Sequence, residues 1–213
     1  KQGGALYSNP VKISMGLVEN NHYVHNFDYR DTARYLSFFK NKKGGIKKMN
    51  TFFRNLIKDI NPDLVIFGHA ELIDEEIFYE LKRKNVKMVF WYNDMIIDSL
   101  YQNVGELFDS VFITGAGEIV NQLKIKNEKS FFLPNPVNIN IEKYKGFESK
   151  QDYDLFFSGR KDKDRKKLIK KKKKSFENIN TKIIGQNKDN TIIGDEYFKL
   201  IKMSKICLNH SRT

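Results

Sequence analysis

The 213-residue sequence contains one cysteine, one tryptophan and four prolines. A single thiol excludes an internal disulfide and any Cys-rich metal site. Cys207 lies in the apolar run Ile206-Cys207-Leu208, which predicts a buried structural thiol and not a nucleophile. No stretch approaches the roughly 18 to 20 continuous apolar residues that a membrane span needs. The N-terminus also lacks the charged, apolar and small-residue zones of a signal peptide. The expected location is therefore cytoplasmic, and a hydrophobic content of 40% suffices for packed cores. His22 and His25 stand an odd number apart in an expected strand, which turns them to opposite sides and argues against a metal pair.

Acidic residues are also short, with 26 Asp and Glu against 38 Lys and Arg for a net charge of +12. The imbalance is local. Between Arg160 and Lys174 there are eleven Lys or Arg and two Asp, so +9 of the +12 comes from this one segment. A basic helix face of this kind suits an anionic membrane surface or a phosphate-rich ligand. It lacks the interleaved aromatics and reader motifs of nucleic-acid binders, so no nucleic-acid partner is expected.

Apolar periodicity organises the rest. Pro10 lies near the first turn of a helix with Val11, Met15 and Val18 on one face, and it follows a glycine loop at Gly3-Gly4. His22 to Asp28 alternates as a strand, while Asp31 to Phe39 and Met49 to Ile60 are helical in pattern. Lys40 to Lys48, with Gly44-Gly45, reads as a mobile basic loop. From Asp63 onward, short apolar runs alternate with helical segments. Strands are expected at 63–69, 87–94, 110–114 and 130–133, and helices at 73–83, 97–108 and 117–126. This rhythm predicts a parallel sheet covered on both sides.

Leu133-Pro134-Asn135-Pro136-Val137 then marks a hinge, after which the pattern restarts. Strands are expected at 153–158, 181–185 and 205–209, with helices at 163–176 and 195–203. The fold class is α/β with two Rossmann-like domains, spanning 1–137 and 153–213 and joined by a linker at 138–152. Two such domains facing each other make a cleft suited to a nucleotide-linked substrate. The first domain lacks an initial strand and the second has only three, so the chain is expected to be a fragment of a longer protein.

In open parallel sheets, ligands bind beyond the carboxyl ends of the strands, where loops and helix N-termini converge. Several residues at those ends are candidates. Gly3 and Gly4 let backbone approach a phosphate or sugar, and read equally as a tight turn. His69 can act as general base or hold an acceptor, with Glu71 beside it; the same histidine reads as a loop residue capping a helix. Asp94, after Asn93, can deprotonate an acceptor hydroxyl or serve as an N-cap. Ser158-Gly159-Arg160-Lys161 with Arg165 is the strongest chemical signal. Its glycine frees the backbone, and its cations can neutralise a diphosphate whose departure builds negative charge. The plainer alternative is a solvated basic helix. Asn209 and Arg212 end the last strand with groups able to read a base, ribose or phosphate.

The order of these parts resembles the GT-B glycosyltransferases, in particular the bacterial group-1 type related to the spore-maturation CgeB-like proteins. The resemblance rests on the N-terminal glycine loop, the N-terminal Rossmann-like domain, the Leu-Pro-Asn-Pro-Val crossing, the Phe156-Phe157-Ser158-Gly159-Arg160 restart and the segment from Tyr197 to Asn209, which ends Lys205-Ile206-Cys207-Leu208-Asn209. It implies a nucleotide-sugar donor held by the C-terminal domain and a glycan, lipid or protein acceptor on the N-terminal one, with no bound metal or other cofactor. It would place Gly159, Arg160 and Lys161 or Arg165 near the donor diphosphate, and it expects a carboxylate-bearing segment beyond the Asn209 strand. Two other readings stay open. One is a sugar-nucleotide epimerase of the same architecture, and the other is a non-enzymatic basic module gripping nucleic acid or anionic membrane through residues 160–174.

Overall fold

A computed structural model describes residues 8–38, 41–92, 99–142, 150–160, 163–172, 177–186, 192 and 194–208. The chain divides into two compact units. One runs from Leu17 to Pro136; the second runs from Val137 onward and also includes helix α1 (Asn9–Glu19) up to Gly16. The fold is α/β with two parallel sheets.

In the first unit, α2 (Tyr29–Tyr35) and α3 (Lys42–Ile60) precede a regular alternation. It runs β1 (Leu64–Phe67), α4 (Glu75–Arg83), β2 (Lys87–Tyr92), α5 (Ser99–Val104), a 3₁₀ turn, β3 (Ser110–Ile113), α6 (Glu118–Lys126) and β4 (Ser130–Phe132). The strands pair in parallel in the order β1-β2-β3-β4. Parallel strands added in one direction place their right-handed crossover helices on one face. The core lies on that face, where Phe67, Phe90 and Val111 meet Phe53 of α3, Phe78 of α4, Tyr101 of α5 and Leu123 of α6. Offset and edge-on rings fill it, with Phe67 4.9 Å from Phe78 and Phe90 5.0 Å from Phe108. The expectation of cover on both sides does not hold at the sheet edges. Leu64 and Ile66 of β1 and Phe131 of β4 are 43%, 37% and 47% exposed.

Two buried amides tie helices to loops in this core. Asn50 of α3 donates to the Leu72 carbonyl at 2.9 Å and accepts from the Asp74 N–H at 3.0 Å, which fixes the start of α4. Asn127 donates to the carbonyls of Gly105 and Phe108 at 3.0 and 2.8 Å and accepts from Lys129 N–H, joining the 3₁₀ turn to the entry of β4. Each amide meets its polar demand inside the fold, as burial requires.

Two sequence expectations fail here. His22 to Asp28 joins no sheet. Its apolar end is used instead by Phe27, which stacks on Phe53 at 4.8 Å and on Phe52 at 6.1 Å. The supposed basic loop is helical from Lys42 onward, while Phe39 and Lys40 lie outside the described residues. Asn41 caps this helix by accepting from Gly44 N–H at 2.8 Å. Tertiary contact explains the glycines. A Cβ on Gly45 would lie 1.7 Å from the Ala33 carbonyl oxygen, so only glycine lets α3 pack this closely on α2.

The second unit contains β5 (Tyr153–Arg160), α7 (Lys163–Lys172), β6 (Thr181–Gln186), α8 (Asp195–Lys202) and β7 (Ser204–Cys207). Its sheet has the order β6-β5-β7, all parallel. Leu155, Phe156 and Phe157 are buried in succession, as a central parallel strand requires. Cys207 is exposed, against the sequence expectation, because among the described residues β7 is an edge strand with little packed over it. Partial desolvation raises its thiol pKa, which keeps it protonated. Lys12 of α1 meets Glu142 at 2.5 Å, and Glu142 also accepts from Asn138 N–H, so α1 is tied to the segment that follows the prolines.

The glycines generate a paired prediction. Gly45→Ala should destabilise by about 1 to 3 kcal/mol through overpacking, despite alanine's better helix propensity. Gly16→Ala, where an added Cβ meets nothing within 4 Å, should stabilise by about 0.5 to 1 kcal/mol. Urea unfolding of both variants checks this; equal effects of the two substitutions contradict the packing assignment.

Candidate functional site

In the second unit the strand order reverses at β5. The chain goes from β5 to β6 on one side, then crosses to β7 on the other. Such a reversal sends the flanking connections in opposite directions and opens a crevice at the carboxyl end of the central strand, where α/β sheets bind ligands. On one side β5 stays paired to its last residue, with Gly159 opposite Gly185 and Arg160 opposite Gln186. On the other side the pairing ends at Phe156 opposite Cys207, and Leu208 N–H donates to the Phe156 carbonyl at 2.8 Å. Beyond that point Ser158, Gly159 and Arg160 have no described strand neighbour from β7.

Arg165 shapes this strand end. It is half-buried on the first turns of α7, with its guanidinium carbon 5.9 Å from the centroid of the Phe157 ring. A Cβ on Gly159 would come within 2.9 Å of Arg165 Nη1 and 3.1 Å of Phe157 Cζ. The bare glycine backbone and the guanidinium thus occupy adjacent space. A planar cation with several N–H donors beside a backbone that carries no side chain is suited to an oxyanion of phosphate type.

In the first unit, the carboxyl end of β1 carries a second polar cluster. His69 and Ala70 both have positive φ, at 70° and 114°. The second value is costly for a residue with a Cβ, and such strain persists only where surrounding contacts over-determine it. Tyr29 and Arg30 supply those contacts. The Tyr29 hydroxyl donates to a Glu71 oxygen and accepts from Ala70 N–H at 3.3 Å, while Arg30 Nε donates to the other Glu71 oxygen at 2.7 Å. Partial burial alone would raise the Glu71 pKa, but the bonds from Arg30 and Tyr29 outweigh it and hold the carboxyl at about 2. Desolvation and the bond to Glu71 push the Tyr29 phenol well above its usual value. Glu71 is thus an anion fixed in place at neutral pH, with His69 two residues away.

A scan of protein-family models finds no match, and searches of curated proteins and of solved structures find no significant match. Function must therefore be argued from the residues.

The structure brings Gly159 and Arg165 together at one strand end, and at another it sets His69 just past β1, two residues from the Glu71 carboxylate that Tyr29 and Arg30 hold. The backbone of Arg160 lies in β5, and its side chain is outside the described atoms. Gly3, Gly4, Asn93, Asp94, Lys161, Asn209 and Arg212 all lie outside the described residues. Sequence reasoning missed Tyr29 and Arg30. They sit 41 to 42 residues from Glu71 in the chain, with no spacing to announce the contact.

Acid titration tests the β1 cluster. The depressed Glu71 pKa contributes stability that is present above about pH 4.5, the ordinary glutamate value, and lost as pH falls toward 2. After discounting for its partial exposure, the contribution is about 1 to 2 kcal/mol. Glu71→Gln should lose that amount in urea unfolding at pH 7, with the gap to wild type narrowing as pH approaches 2. A gap that stays constant with pH contradicts the assignment.

Proposed function

We propose that this chain is a glycosyltransferase of the GT-B type, which moves a sugar from a nucleotide-sugar donor to a glycan, lipid or protein acceptor. The reversal of strand order at β5, with Gly159 and Arg165 at its carboxyl end, carries the reading. In this proposal the second unit holds the donor and the first holds the acceptor.

The chemistry follows from the charges. Sugar transfer breaks the bond between the anomeric carbon and the diphosphate oxygen, so negative charge grows on the leaving diphosphate. Donors placed in advance at that oxygen lower the barrier most, because they need no reorganisation as the charge develops. Arg165 supplies a forked cation and Gly159 an unobstructed backbone, with Arg160 and Lys161 adding positive charge next to Gly159 in the sequence. Holding donor and acceptor in line supplies the rest of the acceleration through positioning. His69 or Asp94 takes the acceptor hydroxyl proton if the reaction inverts the anomeric centre. Asn209 and Arg212 contact the nucleoside, Gly3 and Gly4 contact the donor, and Glu71 with Asn93 binds the acceptor. The proposed location is cytoplasmic; among the described residues no helix is long and apolar enough to cross a membrane.

Thermal-shift measurements against UDP-, GDP-, ADP-, CMP- and TDP-sugars test this function. One nucleotide class should raise the melting temperature. Arg165→Ala should weaken its binding about 10- to 100-fold, the effect of losing a hydrogen bond to a charged group. Gly159→Ala should weaken it as well, by displacing Arg165. His69→Ala should leave donor binding intact. No stabilisation by any of these donors, or binding indifferent to Arg165, contradicts the proposal.

A further inference from the structure

The basic segment after β5 divides into two sets of cations. Arg165 is half-buried and turned onto Phe157 of the sheet. Lys163, Lys166, Lys167 and Lys170 are exposed. Their spacing of three, four and seven residues places them along a single stripe of the α7 surface. Like charges at these spacings repel and weaken a helix. Among the described residues, no carboxylate pairs with any of the four. The segment therefore concentrates positive charge on its outer side while its half-buried arginine turns inward.

We infer that this lysine stripe is a docking surface for an anionic phospholipid membrane. Charge complementarity names the partner class, and the residue types narrow it. All four side chains are lysine, a hydrated point charge on a flexible stem that follows a diffuse anionic surface. Base readout uses the arginine fork, and single-strand binding uses aromatic stacking. The α7 sequence Lys-Asp-Arg-Lys-Lys-Leu-Ile-Lys-Lys-Lys contains no aromatic residue. Clusters of four to eight basic residues on a helix are the usual signature of anionic-lipid binding. None of these lysines has a role in the proposed donor site, so this inference and the transferase reading can fail separately.

Sedimentation of the chain with lipid vesicles tests it. Binding is expected to vesicles containing phosphatidylglycerol and not to pure phosphatidylcholine, and it should fall steeply as salt screens the surface. Each lysine near an anionic leaflet strengthens partition about fivefold, so K163Q/K166Q/K167Q/K170Q should lower it by more than about 100-fold. Arginine at the same four positions should preserve it, and nucleotide-sugar binding should be unchanged. Three results overturn the inference: no binding of wild type to the anionic vesicles, equal binding by the glutamine variant, or tighter binding to a single-stranded oligonucleotide at the same salt. The salt series on wild type stands even if a variant fails to fold.

Discussion

The position of β5 between two parallel neighbours that arrive from opposite directions is the constraint on which the second unit depends. Burial of Leu155, Phe156 and Phe157 fixes the strand at the centre of its sheet. Its carboxyl end is then the one place where the flanking connections diverge. The chain sets Gly159 and the Arg165 guanidinium at that point. In the proposed function, topology supplies the opening and composition suits it to an anion. The proposed function rests on this pairing, because neither a glycine nor a basic run alone points to it.

Close approach without a Cβ recurs in both units and serves different ends. At Gly45 it lets α3 settle against the backbone of α2, where the gain is packing. At Gly159 it leaves room for the Arg165 guanidinium beside bare backbone. The first unit supplies the complementary case of stored strain. Ala70 holds an unfavourable φ because Tyr29 and Arg30 grip the neighbouring Glu71 and the Ala70 N–H. A fold optimised for stability alone would place glycine there.

Much of the alternation was legible in the sequence because the strands of these parallel sheets read as short continuous apolar runs, as in Leu64 to Phe67, whose β1 is covered on one face only, and Leu155 to Phe157, buried in succession. Helices such as α4 carried their own signals, with Glu75 and Glu76 in the first turn and Lys82 and Arg83 in the last, matching the helix dipole. The failures occurred where tertiary contact overruled local preference. Glycines at 44 and 45 suggested a loop and belong to a helix. Phe27 ended an alternating run and packs on α3 without joining a sheet. Of the candidate site, Gly159, Arg165 and His69 were visible as strand-end chemistry. The Tyr29 and Arg30 clamp was not, because contacts across about forty residues leave no periodic trace.

Amide hydrogen exchange with and without a nucleoside diphosphate tests the central claim most directly. The claim requires slowed exchange in residues 156–160, in the first turn of α7 and around Leu208, with the strands of the first unit unchanged. Protection confined to the first unit, or spread evenly along α7 without reaching the end of β5, would contradict a ligand seated at the point where the strand order reverses.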